Sequence, residues 1–214
     1  MTPIRSIYSG LKKQHSHVNH DWWPTSGKFI PQQFEIVVGA FLTQNTNWRN
    51  VEKALANLIA AKKLTAAAIA NTPLPELRRL VKPSGFYRQK SKRLRELCRF
   101  IEAHDDFYGS VTREELLALT GIGRETADSI LLYACGKLYF VVDAYTRRLL
   151  VREKLITGKE KYDALREMFE SSLPKKVNLY KEFHALIVEN EKFYRRSLAR
   201  NNATKAITNI GNVK

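Results

Sequence analysis

Residues 119–148 read LTGIGRETADSILLYACGKLYFVVDAYTRR. Gly121 and Gly123 form a short hairpin between two stretches of helical character, and Asp143 follows seven residues beyond Gly136 in an otherwise apolar frame. Glycine permits positive φ and close approach, and a helix N-terminus presents backbone N–H groups with partial positive charge. Gly121-Ile122-Gly123, with Arg124 and Thr126 beside it, is therefore suited to hold a phosphate oxygen without reading any base, while Ile122 turns inward to pin the hairpin to a core. The plainer reading of the same residues is a helix–turn–helix corner closed by a glycine cap.

Working outward, the dominant period is helical. Val51, Ala54, Leu55, Leu58 and Ile59 fall at i, i+3, i+4, i+7 and i+8; Leu94, Leu97, Cys98 and Ile101 repeat the pattern, and Ala127, Ile130, Leu131 and Ala134 carry it past the hairpin. Thr112 with Glu115 and Thr157 with Glu160 fit capping boxes that would open helices near residues 113 and 158, and Thr72-Pro73 reads as a third start. Breaks fall at Asp21–Pro31, Thr72–Pro75, Lys82–Tyr87 and Ser171–Lys176. Phe140-Val141-Val142 is β-prone but too short for a sheet, so the expected fold class is all-α, with about ten short helices.

The composition narrows the partner. With 214 residues, 36 Lys and Arg against 21 Asp and Glu, and a net charge of +15, the chain favours a polyanion, nucleic acid first. No apolar run approaches the ~20 residues of a membrane span, and no signal-peptide core is evident, so a soluble protein is expected, cytoplasmic and nucleoid-associated if bacterial. Cys98 and Cys135 both lie in apolar helical patterns and read as buried, unpaired thiols. His15, His17 and His20 with Asp21 match no familiar ligand spacing, so no metal is expected, and two cysteines cannot ligate a four-cysteine centre. Residues 175–205 carry eight Lys and Arg against three Glu, extending the basic surface.

The hairpin with its spaced acid resembles the helix–hairpin–helix motif and catalytic Asp of the endonuclease III-like DNA glycosylase superfamily. Phe41-Leu42-Thr43-Gln44-Asn45-Thr46 resembles the family's first barrel helix and following loop, and Pro83-Ser84-Gly85-Phe86-Tyr87 with Lys90 resembles its GxYxxKA turn. The likeness spans residues 30–190. It implies a two-domain helical fold with a cleft between the domains: a six-helix barrel at 32–140 containing the hairpin at 113–136, and a second domain from 1–31 plus 141–214. It also implies a monomer acting on double-stranded DNA that contains a damaged base, with Gln44, Lys90, Gly121, Ile122, Gly123, Arg124 and Thr126 as DNA-binding residues. Phe183-His184-Ala185-Leu186-Ile187 resembles the helix that leads into the family's iron–sulfur loop, but no cysteine follows it, so neither that cluster nor any other cofactor is expected.

Cleavage of an N-glycosidic bond builds positive charge on the sugar, which a carboxylate stabilises while orienting water. Asp143 is the catalytic candidate, and its alternative reading as a helix N-cap is compatible with that task. Where family members also nick the backbone, a lysine at the position of Glu125 forms a Schiff base; the resemblance therefore implies a monofunctional enzyme. Glu125 is either a base contact or a solvated first-turn acid. The usual Pro before the Asp is missing, and Tyr145 replaces a usual His, which argues against the thymine-glycol and adenine-mismatch branches.

Trp22, Trp23 and Trp48 all fall in the first 48 residues. An electron-rich cage of Trp22, Trp23, Pro24 and Trp48, with Glu125, suits a positively charged alkylated purine, although the same indoles also fit an interdomain seam. DWWP before the barrel, with the aromatic after LTQNT, resembles the 3-methyladenine glycosylase branch. Gln44 lies where relatives insert a wedge into the gap left by a flipped base. The expected activity is excision of alkylated purines in base excision repair. The rivals are a bifunctional glycosylase/lyase and a non-catalytic hairpin module that merely binds DNA.

Overall fold

A computed structural model describes residues 2–26 and 32–211, with 199–211 described by backbone alone, and among them the regular structure is entirely helical. The chain divides into two compact units, Trp23–Tyr139 and Met1–Trp22 with Phe140–Lys214. Gly27–Pro31, the second half of the expected break, lies outside the described residues.

The helices in chain order are α1 (Pro3–Gln14), α2 (Gln32–Leu42), α3 (Trp48–Ala60), α4 (Ala66–Asn71), α5 (Leu74–Val81), α6 (Tyr87–Glu102), α7 (Phe107–Ser110), α8 (Arg113–Ala118), α9 (Arg124–Ser129), α10 (Ala144–Arg152), α11 (Tyr162–Ser172) and α12 (Val177–Gly211). Within Trp23–Tyr139, α2 is buried on every side from Phe34 to Leu42, as a helix apolar all round must be. The expected stripes of α3 and α6 are its neighbours' inward faces: Val51, Ala54, Leu55 and Leu58 on one, Leu94, Leu97, Cys98 and Ile101 on the other. In the other unit α1 and α10 pack on α12. Phe140 stacks on Phe169 at 4.1 Å, and Phe183 and Tyr180 meet Phe140 edge-on.

Four expectations are corrected or refined. Glu160 accepts from the Thr157 N–H and hydroxyl at 2.9 Å, but the Thr157 hydroxyl accepts from Lys159 N–H rather than from Glu160, Gly158 at φ +94° turns the chain there, and the helix opens only at Tyr162. Thr72-Pro73 does mark a helix start, α5 opening at Leu74 with Pro73 as its N-cap, but the Thr72 side chain serves the end of α4, its hydroxyl donating back to the Ala68 carbonyl at 2.6 Å. The run after α9 widens into a π-turn at Ile130–Ala134, with the Cys135 N–H reaching the Ile130 carbonyl, so five successive side chains are buried where a regular helix would expose some. Cys135 is only half-buried.

Thr112 and Glu115 form the full capping box at α8. α9 follows Gly121, whose φ of +87° needs glycine, and Gly123, which is extended at φ −90° and caps α9 without a side-chain bond. Only the first hairpin glycine uses its left-handed freedom.

Candidate active site

In the Trp23–Tyr139 unit, three loops are laced together by side chains. Gln44, two residues past α2, donates from Nε2 to the Gly121 carbonyl and the Thr126 hydroxyl, both at 3.1 Å. Lys90, in the first turn of α6, is 5% exposed and donates from Nζ to the Leu42 and Ser84 carbonyls at 2.8 and 2.7 Å. The expectation that Lys90 contacts DNA is corrected: its ammonium is turned inward to satisfy the carbonyl end of α2 and the turn before α6. Burial lowers its pKa to about 8.

Lys90→Met should cost about 1–3 kcal/mol in urea unfolding, because two buried carbonyls lose a charged donor. The folded ammonium loses its proton near 8, whereas an unfolded lysine keeps it to about 10.4. Between those values the unfolded state binds more protons, so the contribution of Lys90 to stability rises with pH. The stability gap between wild type and variant should widen from pH 8 to 10.

The hairpin itself is clamped from behind. Arg113 at the start of α8 meets Asp128 in α9 through Nε–Oδ1 at 2.6 Å and Nη2–Oδ2 at 3.3 Å, with the carboxylate fully buried. Ile122 is buried and Thr126 is buried under Gln44, while Gly123, Arg124 and Glu125 are exposed. Two residues held at positive φ beside these ties also face solvent: Asn45 (φ 52°) and Phe86 (φ 46°). Phe86 is 65% exposed, and a bulky side chain on left-handed backbone is a strained arrangement found where function demands it. Sequence reading passed over Phe86; an aromatic directly after the glycine of a turn was the available signal.

The tryptophans separate. Trp23 and Trp48 meet edge to face at 5.8 Å, and Trp23 tilts over Tyr133 at 4.6 Å. Both indoles converge on Gly39 of α2, where a Cβ would lie 3.2 Å from Trp48, so a glycine inside an apolar helix marks their close approach. Pro24 and Trp48 line a cavity of about 560 Å³ with Glu35, Glu52 and the apolar side chains of Leu55 and Ile59; Trp22, Trp23 and Glu125 are not among its walls. Trp22 belongs to the other unit. Its indole N–H donates to Glu189 at 3.0 Å, the Lys192 ammonium lies 5.2 Å from its ring centre, and its edge meets the His184 ring at 6.3 Å.

Asp143 is the N-cap of α10, in the same unit as Trp22. Its Oδ1 accepts from the Thr146 N–H at 2.8 Å and the Thr146 hydroxyl at 3.0 Å, and His184 Nε2 of α12 faces Oδ2 at 3.5 Å. Burial alone would raise the carboxyl, but His184, as donor and as positive neighbour, and the two Thr146 donors outweigh it and hold Asp143 below the usual carboxylate range. The residue is thus an ionised, rigidly aimed carboxylate with its side chain 14% exposed. His184 was noticed in sequence only as part of a helix, and its approach to Asp143 was not read.

Residues 38–175 match the profile of the HhH-GPD superfamily base excision DNA repair proteins. A protein named "Putative DNA repair glycosylase" from Methanocaldococcus jannaschii is 45% identical over 203 residues, covering 90% of this chain and 89% of that one. Endonuclease III of Thermotoga maritima is 32% identical over 145 residues, 65% of this chain and 67% of its own. Among solved structures, H. pylori 3-methyladenine DNA glycosylase (MagIII) bound to 1,N6-ethenoadenine superposes with a TM-score of 0.78 at 35% identity, over 90% of this chain and 99% of that one. The chain belongs to the HhH-GPD superfamily of base excision repair DNA glycosylases.

Proposed function

We propose that this protein is a monofunctional glycosylase that extrudes an alkylated purine of the 3-methyladenine type from double-stranded DNA and hydrolyses its N-glycosidic bond. The observation that carries this reading is the Asp143 carboxylate, kept ionised and aimed by Thr146 and His184. As the bond lengthens, Asp143 stabilises the positive sugar and takes a proton from the attacking water. A base that already carries positive charge leaves as a neutral molecule and needs no general acid. Glu125 stands in the position from which a lysine would form an imine, so the product is an intact strand with an abasic site.

The hairpin and the loops braced by Gln44 and Lys90 supply the DNA grip, through backbone N–H groups and exposed Arg124. Phe86, exposed on strained backbone, is the apolar wedge for the unstacked duplex. Gln44 would have to release two hydrogen bonds to enter the gap, so its first task is bracing. Trp22 supports the choice of substrate because an electron-rich indole stacks on a positively charged base better than on a neutral one. The likeness to the H. pylori 3-methyladenine glycosylase points the same way.

The test is incubation with dimethyl sulfate-treated duplex DNA, mass spectrometry of the released bases and borohydride trapping in parallel. Release of N3-methyladenine with no covalent adduct is expected; an adduct would establish lyase chemistry, and no released base would remove the proposed substrate. Trp22→Ala should reduce release of cationic bases more than of neutral 1,N6-ethenoadenine, by about three- to thirtyfold for the 0.5–2 kcal/mol of a cation–π contact.

A further inference from the structure

We infer that His184 is a positioning residue for Asp143, setting both the aim of the nucleophile-activating carboxylate and the pH below which it fails. This rests on the proposed use of Asp143 in base release. The carboxylate has two distinct sides. Oδ1 is taken by Thr146 from within α10, a local bond that any N-cap would make, whereas Oδ2 faces a side chain 41 residues away on α12. A cap alone leaves the carboxylate free to turn about the axis of that one oxygen; a donor on the second oxygen removes this freedom. His184 Nε2, 3.5 Å from Oδ2 at ion-pair distance, is the group placed to supply that second restraint.

The histidine is itself built in. It is 4% exposed, and the Trp22 ring stands edge-on to it with an interplanar angle of 81°. Trp22 is in turn fixed by its N–H to Glu189 and by Lys192 across its face. The result is a relay of packed groups from the α12 surface to the Asp143 oxygen, all within one unit. The neighbouring charges have partners of their own. On α10, Arg147 donates to the Glu160 carbonyl at 3.0 Å and Arg148 lies beside buried Glu191, which also pairs with Arg152. On α12, Glu189 pairs with Lys192, and Lys181 lies one turn before His184. On α1, Lys12 and Tyr8 bind Glu182. Among these groups His184 is the titratable side chain in direct contact with Oδ2.

The experiment compares wild type, His184→Ala, His184→Gln and Asp143→Asn. The Asp143 carboxyl is titrated by carbon NMR in selectively labelled protein, and single-turnover base release from dimethyl sulfate-treated duplex is followed across pH. In His184→Ala the carboxyl should titrate at higher pH, the acid limb of the rate profile should move the same way, and the rate at neutral pH should fall about 10- to 100-fold with duplex affinity unchanged. His184→Gln, which keeps a donor and folds if the alanine variant does not, should recover most of the rate. An unmoved Asp143 titration in either folded variant overturns the proposal whatever the substrate. Full activity of Asp143→Asn overturns it too, by removing the reading beneath it. Loss of activity in Asp143→Asn with an unaltered profile in His184→Ala overturns the positioning task alone.

Discussion

Asp143→Asn is expected to lower base release about 10²- to 10⁴-fold, the range of a positioned acid–base group, while leaving affinity for damaged duplex near wild type. The substitution is chosen because it separates chemistry from folding. Asn caps helices as well as Asp does, so the Thr146 N–H keeps its acceptor and α10 keeps its start. What disappears is the negative charge that stabilises the sugar and accepts the proton of water. Stability should change only modestly, and with a defined sign. The folded carboxyl titrates below its ordinary value, so the charge contributes to stability above the unfolded pKa of about 3.9 and the contribution fades as pH falls through the folded value. Wild type and variant should therefore converge in acid. Retained base release with single-turnover kinetics would remove Asp143 from the mechanism and favour the purely DNA-binding reading.

Asp128→Ala is expected to cost about 3–5 kcal/mol in urea unfolding, because it removes the buried carboxylate that Nε and Nη2 of the buried Arg113 guanidinium both bond. The carboxylate is fully buried and bonded by both Nε and Nη2, so solvent screening does little to soften the loss. Replacing the pair together, as Arg113→Met with Asp128→Leu, should cost less than the single change, since the desolvation of both charges is relieved. The pair joins α8 to α9, so the single variant should also weaken duplex binding more than its residual folded fraction explains. A loss below 1 kcal/mol would show that water reaches the pair.

The helices of the Trp23–Tyr139 unit are readable because their signals are local. The stripes of α3 and α6 repeat within four residues, Thr112 meets Glu115 three residues on, and the Gly121 turn declares itself by residue type. Where a local signal had two uses, reading it alone misled. Glu160 takes both donors of Thr157 around a glycine turn, and the pair opens no helix. The turn that holds Lys90 resembles a DNA-contacting one, and only its burial shows that the ammonium serves two carbonyls of its own protein.

The tryptophan cage fared differently. Trp22 and Trp23 are chain neighbours, yet one belongs with His184, Glu189 and Lys192 and the other with Trp48 and Tyr133. Chain neighbours need not share partners, and no composition argument assigns each indole to its own. Arg113 with Asp128 likewise left only a faint trace in sequence, an acid inside an apolar run.

Residue pattern was enough to read a helical chain with a glycine hairpin followed at fixed spacing by an Asp suited to cap a helix. These follow from residue type and short-range geometry. Only the folded chain shows that Asp143 is bonded by Thr146 on one oxygen and faced by His184 on the other, that Gln44 and Lys90 are braces, and that Phe86 is left outside. Each of those depends on which buried donors and acceptors meet across tens of residues, where desolvation makes an unmet polar group costly and so selects the partner.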